Sequence, residues 1–139
     1  MRIKDEIITM PVQVLAIRNI WPHLRLIKKN PYTWLGEFRP FDWADSFSYI
    51  IEYTSPKSPK AKVVDPEIIY HLGLPHLFED SSLCLYDLRD PLENQWTKNR
   101  LIAKTIIPWT HGWITFYAIW LKTGKWYGPE VPHTGAKLA

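Results

Sequence analysis

Cysteine is nearly absent from this sequence, which has one residue of this type, Cys84, in a chain of 139. A single cysteine cannot form a disulfide within the chain, so a disulfide-stabilised secreted scaffold is excluded. The sequence also lacks an apolar run near the ~20 residues that a membrane-spanning helix needs, and its first residues lack the hydrophobic region of a signal peptide. These absences predict a cytoplasmic protein with no membrane partner.

The sequence also has little excess of positive over negative charge, because 17 Lys and Arg against 14 Asp and Glu give a net charge of +3. The small excess is scattered in short runs that are typical of solvated loops, and it does not predict a nucleic-acid partner. The length suffices for one hydrophobic core and leaves no room for two. We therefore expect a single domain over residues 1–139, with a partly mobile tail over about 125–139.

Glycine is outnumbered by proline, six to twelve, whereas aromatic residues are abundant, with eight Trp, seven Tyr and five Phe. The prolines predict rigid connections and sharply ended elements. In a domain this small, the aromatic rings must provide much of the core.

The hydrophobic pattern predicts one helix followed by a sheet. Residues 11–20 are typical of a short amphipathic helix with Pro11 in its first turn and an apolar stripe of Val14, Leu15 and Ile17. Alternating segments separated by short turns then predict four strands in an antiparallel meander, over residues 24–29, 32–40, 47–54 and 61–64.

The second half of the chain has a different residue pattern. Residues 71–100 have few periodic runs and many turn formers, which predicts a long ordered loop, and loops of this length are often functional. A helix is expected from near Pro108 to Gly124. Its aromatic residues are spaced by three or four positions and are expected to form a core face, made of Trp109, Trp113, Phe116 and Trp120.

The residue types in the long loop leave several readings of Cys84 open. A lone cysteine between Leu83 and Leu85 is most often a small buried hydrophobic residue. A zinc site is not predicted, because His71 and His76 have the wrong spacing and there is no second thiol. A Cys-His hydrolase requires one of the histidines, such as His76 or His111, to fold next to the sulfur, and no local signature supports it.

The order of elements and the residues around Cys84 resemble those of the ubiquitin-conjugating enzyme (UBC) family. In that family, a His-Pro-Asn tripeptide precedes the catalytic cysteine, which lies in a Gly-x-Ile/Leu-Cys-Leu context. The corresponding segments here are Leu74-Pro75-His76 and Ser82-Leu83-Cys84-Leu85, so His76 stands where the family has asparagine. Trp96 lies where the family often has a tryptophan after the cysteine loop.

The sequence is most similar to the bacterial conjugating-like proteins of short type II CBASS anti-phage operons. The similarity extends over about residues 11–133, and its most specific segments are Leu83-Cys84-Leu85-Tyr86 and Pro108-Trp109-Thr110. The other matching residues are Trp113, Trp120-Leu121, Thr123-Gly124, Trp126, Gly128 and Pro132-His133.

This resemblance implies an α+β, UBC-like fold with an N-terminal helix, a four-stranded antiparallel meander, a long active-site loop that carries the cysteine, and a C-terminal aromatic helix. It also implies a function. Cys84 would form a thioester with the C-terminal glycine of a partner CD-NTase (a cyclic-oligonucleotide synthase) and pass the acyl group to a lysine of a target protein. No cofactor is predicted, and the chain has no Gly-rich loop for a nucleotide.

In this reading, Cys84 is the nucleophile and the imidazole of His76 donates a hydrogen bond to the oxyanion of the tetrahedral intermediate. Asp87 is the preferred acceptor of the proton of the attacking amine, chosen over Asp80 and Asp90 because it directly follows Leu85-Tyr86. Partner contacts are expected from Tyr86, Trp96 and Trp126, although Trp126 could equally complete the core.

Two alternatives to the conjugating enzyme stay open. One is a UBC-fold module that binds the CD-NTase without chemistry at Cys84, and the other is the Cys-His hydrolase. The conjugating function leads us to expect that the Cys84 sulfur is open to solvent at the rim of its loop.

Overall fold

A computed structural model describes residues 6–71, 74 and 76–129 of the chain. Pro75, Pro132, His133 and most of the expected mobile tail lie outside the described residues. The helices and strands follow in the order α1 (Met10–Ile20), β1 (Arg25–Lys29), β2 (Tyr32–Phe38), β3 (Phe47–Tyr53), β4 (Lys60–Asp65) and α2 (Ile106–Thr123). The protein thus has a mixed α+β architecture in which one helix precedes and one follows a sheet.

The predicted N-terminal helix is confirmed, but its inward face differs from the predicted stripe. Ile17 is fully buried, whereas Leu15 is 52% exposed. The other inward position is Gln13, whose Nε2 donates to the carbonyl of Arg100 and whose Oε1 accepts from the N–H of Ile102, each at 3.0 Å. Because the nitrogen and the oxygen of its amide are both hydrogen-bonded, Gln13 can be buried on the inner face of α1 without an unsatisfied polar atom.

The predicted antiparallel meander is also confirmed, because the sheet order is β1-β2-β3-β4. Strand β3 shows the clearest alternation, and its four inward residues are at most 2% exposed: Phe47, Tyr49, Ile51 and Tyr53. Their rings and aliphatic groups form the sheet side of the core, as strand periodicity predicts.

The long connection between β4 and α2 has little regular structure. Its described part contains two short 3₁₀ turns, Leu92–Asn94 and Ile102–Lys104, and isolated bridges such as Leu77 with Leu83. The described residues of 71–100 thus form a long loop, as predicted.

Helix α2 begins two residues before the predicted start at Pro108 and ends at Gly124, which has a φ of 77°. The prediction that its aromatic stripe is a core face is confirmed in part, because Trp113 is buried in the core and the half-buried Trp109 and Trp120 pack against it, whereas Phe116 is half-buried and lines the cavity described below. The buried face is mostly aliphatic and consists of Ile106, Ile107, Thr110, Trp113, Ile114 and Ala118. Trp109 contacts Tyr86 of the long loop, and Trp113 bonds the His76 carbonyl there.

Neither α1 nor α2 has the length and apolar character that a bilayer crossing requires, and no other helix in the described part of the chain does.

Candidate active site around Cys84

The cysteine loop folds back on itself as a small hairpin. The N–H of Cys84 donates to the carbonyl of His76 at 3.0 Å, and the N–H of Phe78 donates to the carbonyl of Ser82 at 2.9 Å. Asp80 stabilises the turn that connects Phe78 to Ser82, since its Oδ1 accepts from both the N–H and the hydroxyl of Ser82. The hairpin therefore sets His76 and Cys84 opposite each other, although they are eight residues apart in sequence.

Two hydrogen bonds attach opposite sides of this hairpin to β4 and to α2. The N–H of Leu83 donates to the carbonyl of Ala61 in β4 at 2.8 Å. On the other side, the indole N–H of Trp113 in α2 donates to the carbonyl of His76 at 3.0 Å, in a buried position. The His76 carbonyl thus accepts two hydrogen bonds, one from Cys84 within the loop and one from Trp113, and the second connects the cysteine loop to α2.

A cavity of about 220 Å³ lies between the hairpin and α2, and the Cys84 side chain contributes to its wall. From the loop, His76 and Leu85 also line it. The last described residues contribute Trp126 and Pro129, and α2 contributes Pro108, Trp109, Gly112, Trp113 and Phe116. Apart from His76 and Cys84, the described lining has no titratable side chain, so the cavity is apolar and largely aromatic.

Cys84 itself is buried, with 4% of its surface exposed. The expectation of a sulfur open to solvent at the loop rim is therefore wrong, because aromatic side chains of α2 and of the segment after it surround the cavity. Burial raises the pKa of the Cys84 thiol to about 12, and the negative charge of Asp87 contributes to the increase. The thiol is consequently protonated at neutral pH in this conformation.

Asp87 lies close enough to Cys84 for its charge to act on the thiol. Its side chain is 9% exposed and forms an ion pair with Arg89, whose guanidinium Nη2 lies 2.9 Å from the Asp87 Oδ2. The other two acidic candidates support turns. Asp90 accepts a hydrogen bond from the N–H of Asp87, and Asp80 forms an ion pair with Lys60 at 2.6 Å.

His76 is buried and has a φ of 61°. This left-handed conformation is uncommon outside glycine, and asparagine, aspartate and histidine adopt it more readily than most other residues. Its ring stacks against Trp126 with the centroids 4.4 Å apart. The backbone carbonyl of His76 supports the loop through its bonds with Cys84 and Trp113, and His76 also lines the cavity.

Trp126 follows the end of α2 and packs back against that helix. Its ring lies 5.7 Å from that of Trp113 and 6.0 Å from that of Phe116. Gly128 packs so tightly that a Cβ there would lie 2.6 Å from Cδ2 of Phe116. We call residues 125–129 the covering segment, since it forms one wall of the Cys84 cavity.

The other two predicted partner contacts lie in different environments. Tyr86 is half-buried, contacts Trp109 edge-on and shares a hydrogen bond with Ser58. It also lines a second cavity of about 330 Å³ on the β4 side of the loop. Trp96 is only 5% exposed and packs against Tyr53, so its ring is a core component and is not available to a partner in this conformation.

The hydrolase alternative required a histidine beside the sulfur, and His111 does not meet this requirement. Its Nε2 lies 2.7 Å from the hydroxyl of Tyr49, and its ring stacks on Phe38 with the centroids 4.2 Å apart. It is absent from the described lining of the Cys84 cavity. Among the residues that the structure describes, no group of three or more His, Cys, Asp or Glu could bind a metal ion.

Several residues of the cavity were not predicted for the site from the sequence, among them Trp113 and Gly112. Trp113 was expected in the core and matched the family, and its N–H also bonds the cysteine loop. No role was predicted for Gly112 from the sequence, although it lines the cavity. A glycine in the middle of a predicted helix was the available signal, because glycine is unfavourable there without a packing or functional reason.

Comparison with known proteins agrees with the resemblance seen in the sequence. A search of curated proteins gave no match. The family model for the type II CBASS E2 protein matches residues 13–134, which include most of α1, the sheet, the cysteine loop, α2 and the covering segment. This chain belongs to the family of type II CBASS E2 proteins.

Proposed function

We propose that this protein is a UBC-like conjugating enzyme in which Cys84 accepts the C-terminus of a CD-NTase as a thioester and transfers it to a lysine of a target protein. Membership of the CBASS E2 family supports a role in antiviral defence together with other CBASS components. The observation that carries the chemical proposal is the cavity of about 220 Å³ in whose lining Cys84, the only thiol of the chain, lies.

Thioester formation requires an activated donor, since a free carboxylate is a poor electrophile. The donor is an acyl adenylate or a thioester that another protein supplies. The Cys84 Sγ attacks the carbonyl carbon, the new C–S bond forms, and the bond to AMP or to the leaving thiol breaks. The thiol proton leaves with the departing group or goes to solvent, and the imidazole of His76 donates to the developing oxyanion.

Transfer of the acyl group follows when a lysine amine attacks the thioester carbon. The C–N bond forms, the C–S bond breaks, and the electron pair returns to Sγ as thiolate. The ammonium proton of the tetrahedral intermediate must leave, and Asp87 is the nearby group that can accept it. The charge of Asp87 raises the thiol pKa, which makes the returning thiolate more basic and ready to take up a proton.

The burial of Cys84 favours a second candidate function, a module that binds the CD-NTase without forming a covalent bond. With a pKa of about 12, the thiolate fraction at pH 7 is on the order of 10⁻⁵, and the thiolate is the nucleophilic form. The conjugating function therefore requires the covering segment to move when the donor binds, whereas the module requires no such movement.

Co-expression with the neighbouring CD-NTase and mass spectrometry of the intact proteins distinguish the two functions. For the enzyme, we expect an adduct that hydroxylamine or excess thiol releases, that Cys84→Ala abolishes, and that Cys84→Ser converts into a more stable ester. A complex that forms equally well with wild type and Cys84→Ala, with no adduct in either, would overturn the enzymatic proposal and establish the module.

A further inference from the structure

The side chain of Arg89 binds the carboxylate of Asp87, two residues before it in the loop that follows Cys84. Its guanidinium contacts both carboxylate oxygens. The Nε lies 3.2 Å from Oδ1 and 3.2 Å from Oδ2, and the Nη2 lies 2.9 Å from Oδ2. Such a two-oxygen contact is among the stronger ion pairs in proteins. Arg89 thus binds the group that the proposed transfer step uses as its proton acceptor.

The two members of this ion pair differ in their exposure. The Asp87 side chain is 9% exposed, whereas the Arg89 side chain is 68% exposed. A carboxylate that is largely removed from water requires opposite charge or hydrogen bonds around it. The cation, in contrast, lies mostly in solvent, where an ion pair contributes little to stability. The pair therefore consists of a covered anion and a cation that another cation can replace.

The local backbone supports Asp87 without help from the guanidinium. The N–H of Arg89 donates to the Asp87 Oδ1 at 2.8 Å, and the N–H of Asp90 donates to the Asp87 carbonyl at 2.9 Å. The N–H of Asp87 donates to Oδ2 of Asp90 at 3.2 Å. None of these three bonds uses the Arg89 side chain, so the turn should form with a different residue at position 89.

A target lysine carries the same charge as Arg89. At neutral pH its amine is mainly an ammonium, because lysine loses its proton only at high pH. An ammonium that approaches a thioester on Cys84 enters the field of Asp87, whose charge acts on the Cys84 sulfur. The ammonium and the guanidinium are thus two cations near one carboxylate.

We infer that Arg89 competes with the target lysine for Asp87 and thereby controls transfer of the acyl group from Cys84. The ammonium displaces the guanidinium and releases one proton to solvent. The amine then attacks the thioester carbon, the C–N bond forms, and the C–S bond breaks with its electron pair on Sγ. The second amine proton passes to Asp87 and from there to the thiolate.

Arg89 is a positioning residue in this scheme, because it acts only through Asp87. The competition restrains transfer to amines that approach at low concentration and favours a target whose lysine is held at the site. This inference rests on the proposed conjugating function and adds to it a control over the acceptor.

The test uses a short peptide that ends in glycine and carries a C-terminal mercaptoethanesulfonate thioester, which needs no activating protein. Sγ of Cys84 attacks the carbonyl carbon, the bond to mercaptoethanesulfonate breaks, and the Cys84 proton ends on the released thiol. Transfer from the loaded protein to Nα-acetyl-lysine is then followed by intact-protein mass spectrometry over a range of amine concentrations at pH 8. Hydroxylamine serves as a second acceptor, because it is uncharged at this pH and does not compete with a guanidinium.

Arg89→Gln should lower the apparent KM for Nα-acetyl-lysine at least threefold and leave the maximal rate within twofold of wild type. Its reaction with hydroxylamine should also stay within twofold. In the Asp87→Asn background, Arg89→Gln should have no effect on KM, because the carboxylate for which the cations compete is absent. A change in folding or in loop order would not distinguish a charged from an uncharged acceptor.

Arg18→Gln is the matched control, since it removes the same charge from an exposed position in the last turn of α1. Its KM for Nα-acetyl-lysine should equal that of wild type. The inference is overturned if Arg89→Gln transfers at the wild-type rate or more slowly at low lysine concentration, or if it accelerates lysine and hydroxylamine equally. If wild type forms no Cys84 adduct with the peptide, the proposed conjugating function fails, and the inference fails with it. The first result leaves the conjugating function intact, so the two failures are distinguishable.

Discussion

The indole of Trp126 lies against the imidazole of His76, with the ring centroids 4.4 Å apart, and both rings line the cavity of Cys84. The two residues come from opposite sides of the site, since His76 begins the cysteine hairpin and Trp126 follows the end of α2. Their contact joins the covering segment to the loop. Access of any reagent to the sulfur therefore depends on where Trp126 lies.

Trp126→Ala should expose the thiol. Removal of the indole deletes one wall of the cavity, so we expect Cys84 to react with iodoacetamide about tenfold faster than in wild type at pH 8. Mass spectrometry of the intact protein measures the rate, because the chain has no other cysteine. Tyr127→Ala is the control, since Tyr127 is 59% exposed and is absent from the described cavity lining. Equal rates for the two variants would contradict a covering role for Trp126.

The pH dependence of alkylation reports the ionisation of the thiol. Burial raises the pKa of Cys84 to about 12, so the protonated form dominates throughout the neutral range. The thiolate fraction, and with it the alkylation rate, should rise about tenfold for each pH unit between pH 7 and pH 10. We expect no plateau in this interval. A plateau near pH 8 or 9 would show that the thiol is solvated like that of an unfolded chain.

Asp87→Asn should change two rates in opposite directions. Loss of the negative charge lowers the Cys84 pKa, so alkylation becomes faster. Loss of the proton acceptor should slow transfer from a preformed thioester to free lysine about tenfold or more. Asp90→Asn is the matched control, because an asparagine can still accept the hydrogen bond from the N–H of residue 87. If Asp87→Asn and Asp90→Asn behave alike in both assays, Asp87 has no role in transfer.

Substitutions of His76 separate the imidazole from the backbone carbonyl that supports the loop. His76→Ala retains the carbonyl that accepts from Cys84 and Trp113, so the loop should still fold. Loss of the oxyanion donor should slow thioester formation roughly 10²-fold, which is the usual cost of removing one such donor. His76→Asn should recover most of the rate, because asparagine also donates a hydrogen bond and tolerates the left-handed φ of 61°. If His76→Ala forms the thioester at the wild-type rate, the imidazole contributes to packing alone.

His111 should make stability depend on pH. Burial lowers its pKa in the folded protein below the value of about 6.5 in an unfolded chain. Below about pH 6.5 the unfolded state then binds more protons than the folded state, so the free energy of unfolding falls as the pH decreases. The slope from this one group is at most about 1.4 kcal/mol per pH unit. Urea unfolding between pH 7.5 and pH 5 measures it, and His111→Gln, which can still bond Tyr49, should reduce the slope. An identical slope in the variant would exclude His111 as its source.

The local pattern of residues in the sequence was sufficient to predict most of the secondary structure. In β3, the alternation of Phe47, Tyr49, Ile51 and Tyr53 predicted the buried face correctly, because a strand directs every second side chain to the same side. The end of α2 at Gly124 was likewise predictable, since glycine readily adopts the left-handed conformation found there. The inner face of α1 was not predictable, because Gln13 is buried only through its bonds to Arg100 and Ile102, nearly ninety residues later in the sequence.

For the site, the sequence by itself determined which groups are present: one thiol, a histidine eight residues before it, an aspartate three residues after it, and a helix with many aromatic residues. Family membership also follows from the sequence alone. Only the tertiary structure decided that Cys84 is buried and that the space beside Gly112 adjoins it. Burial and cavities arise where segments distant in the chain meet, here the loop, α2 and the covering segment. No local pattern of residues specifies how closely such segments pack.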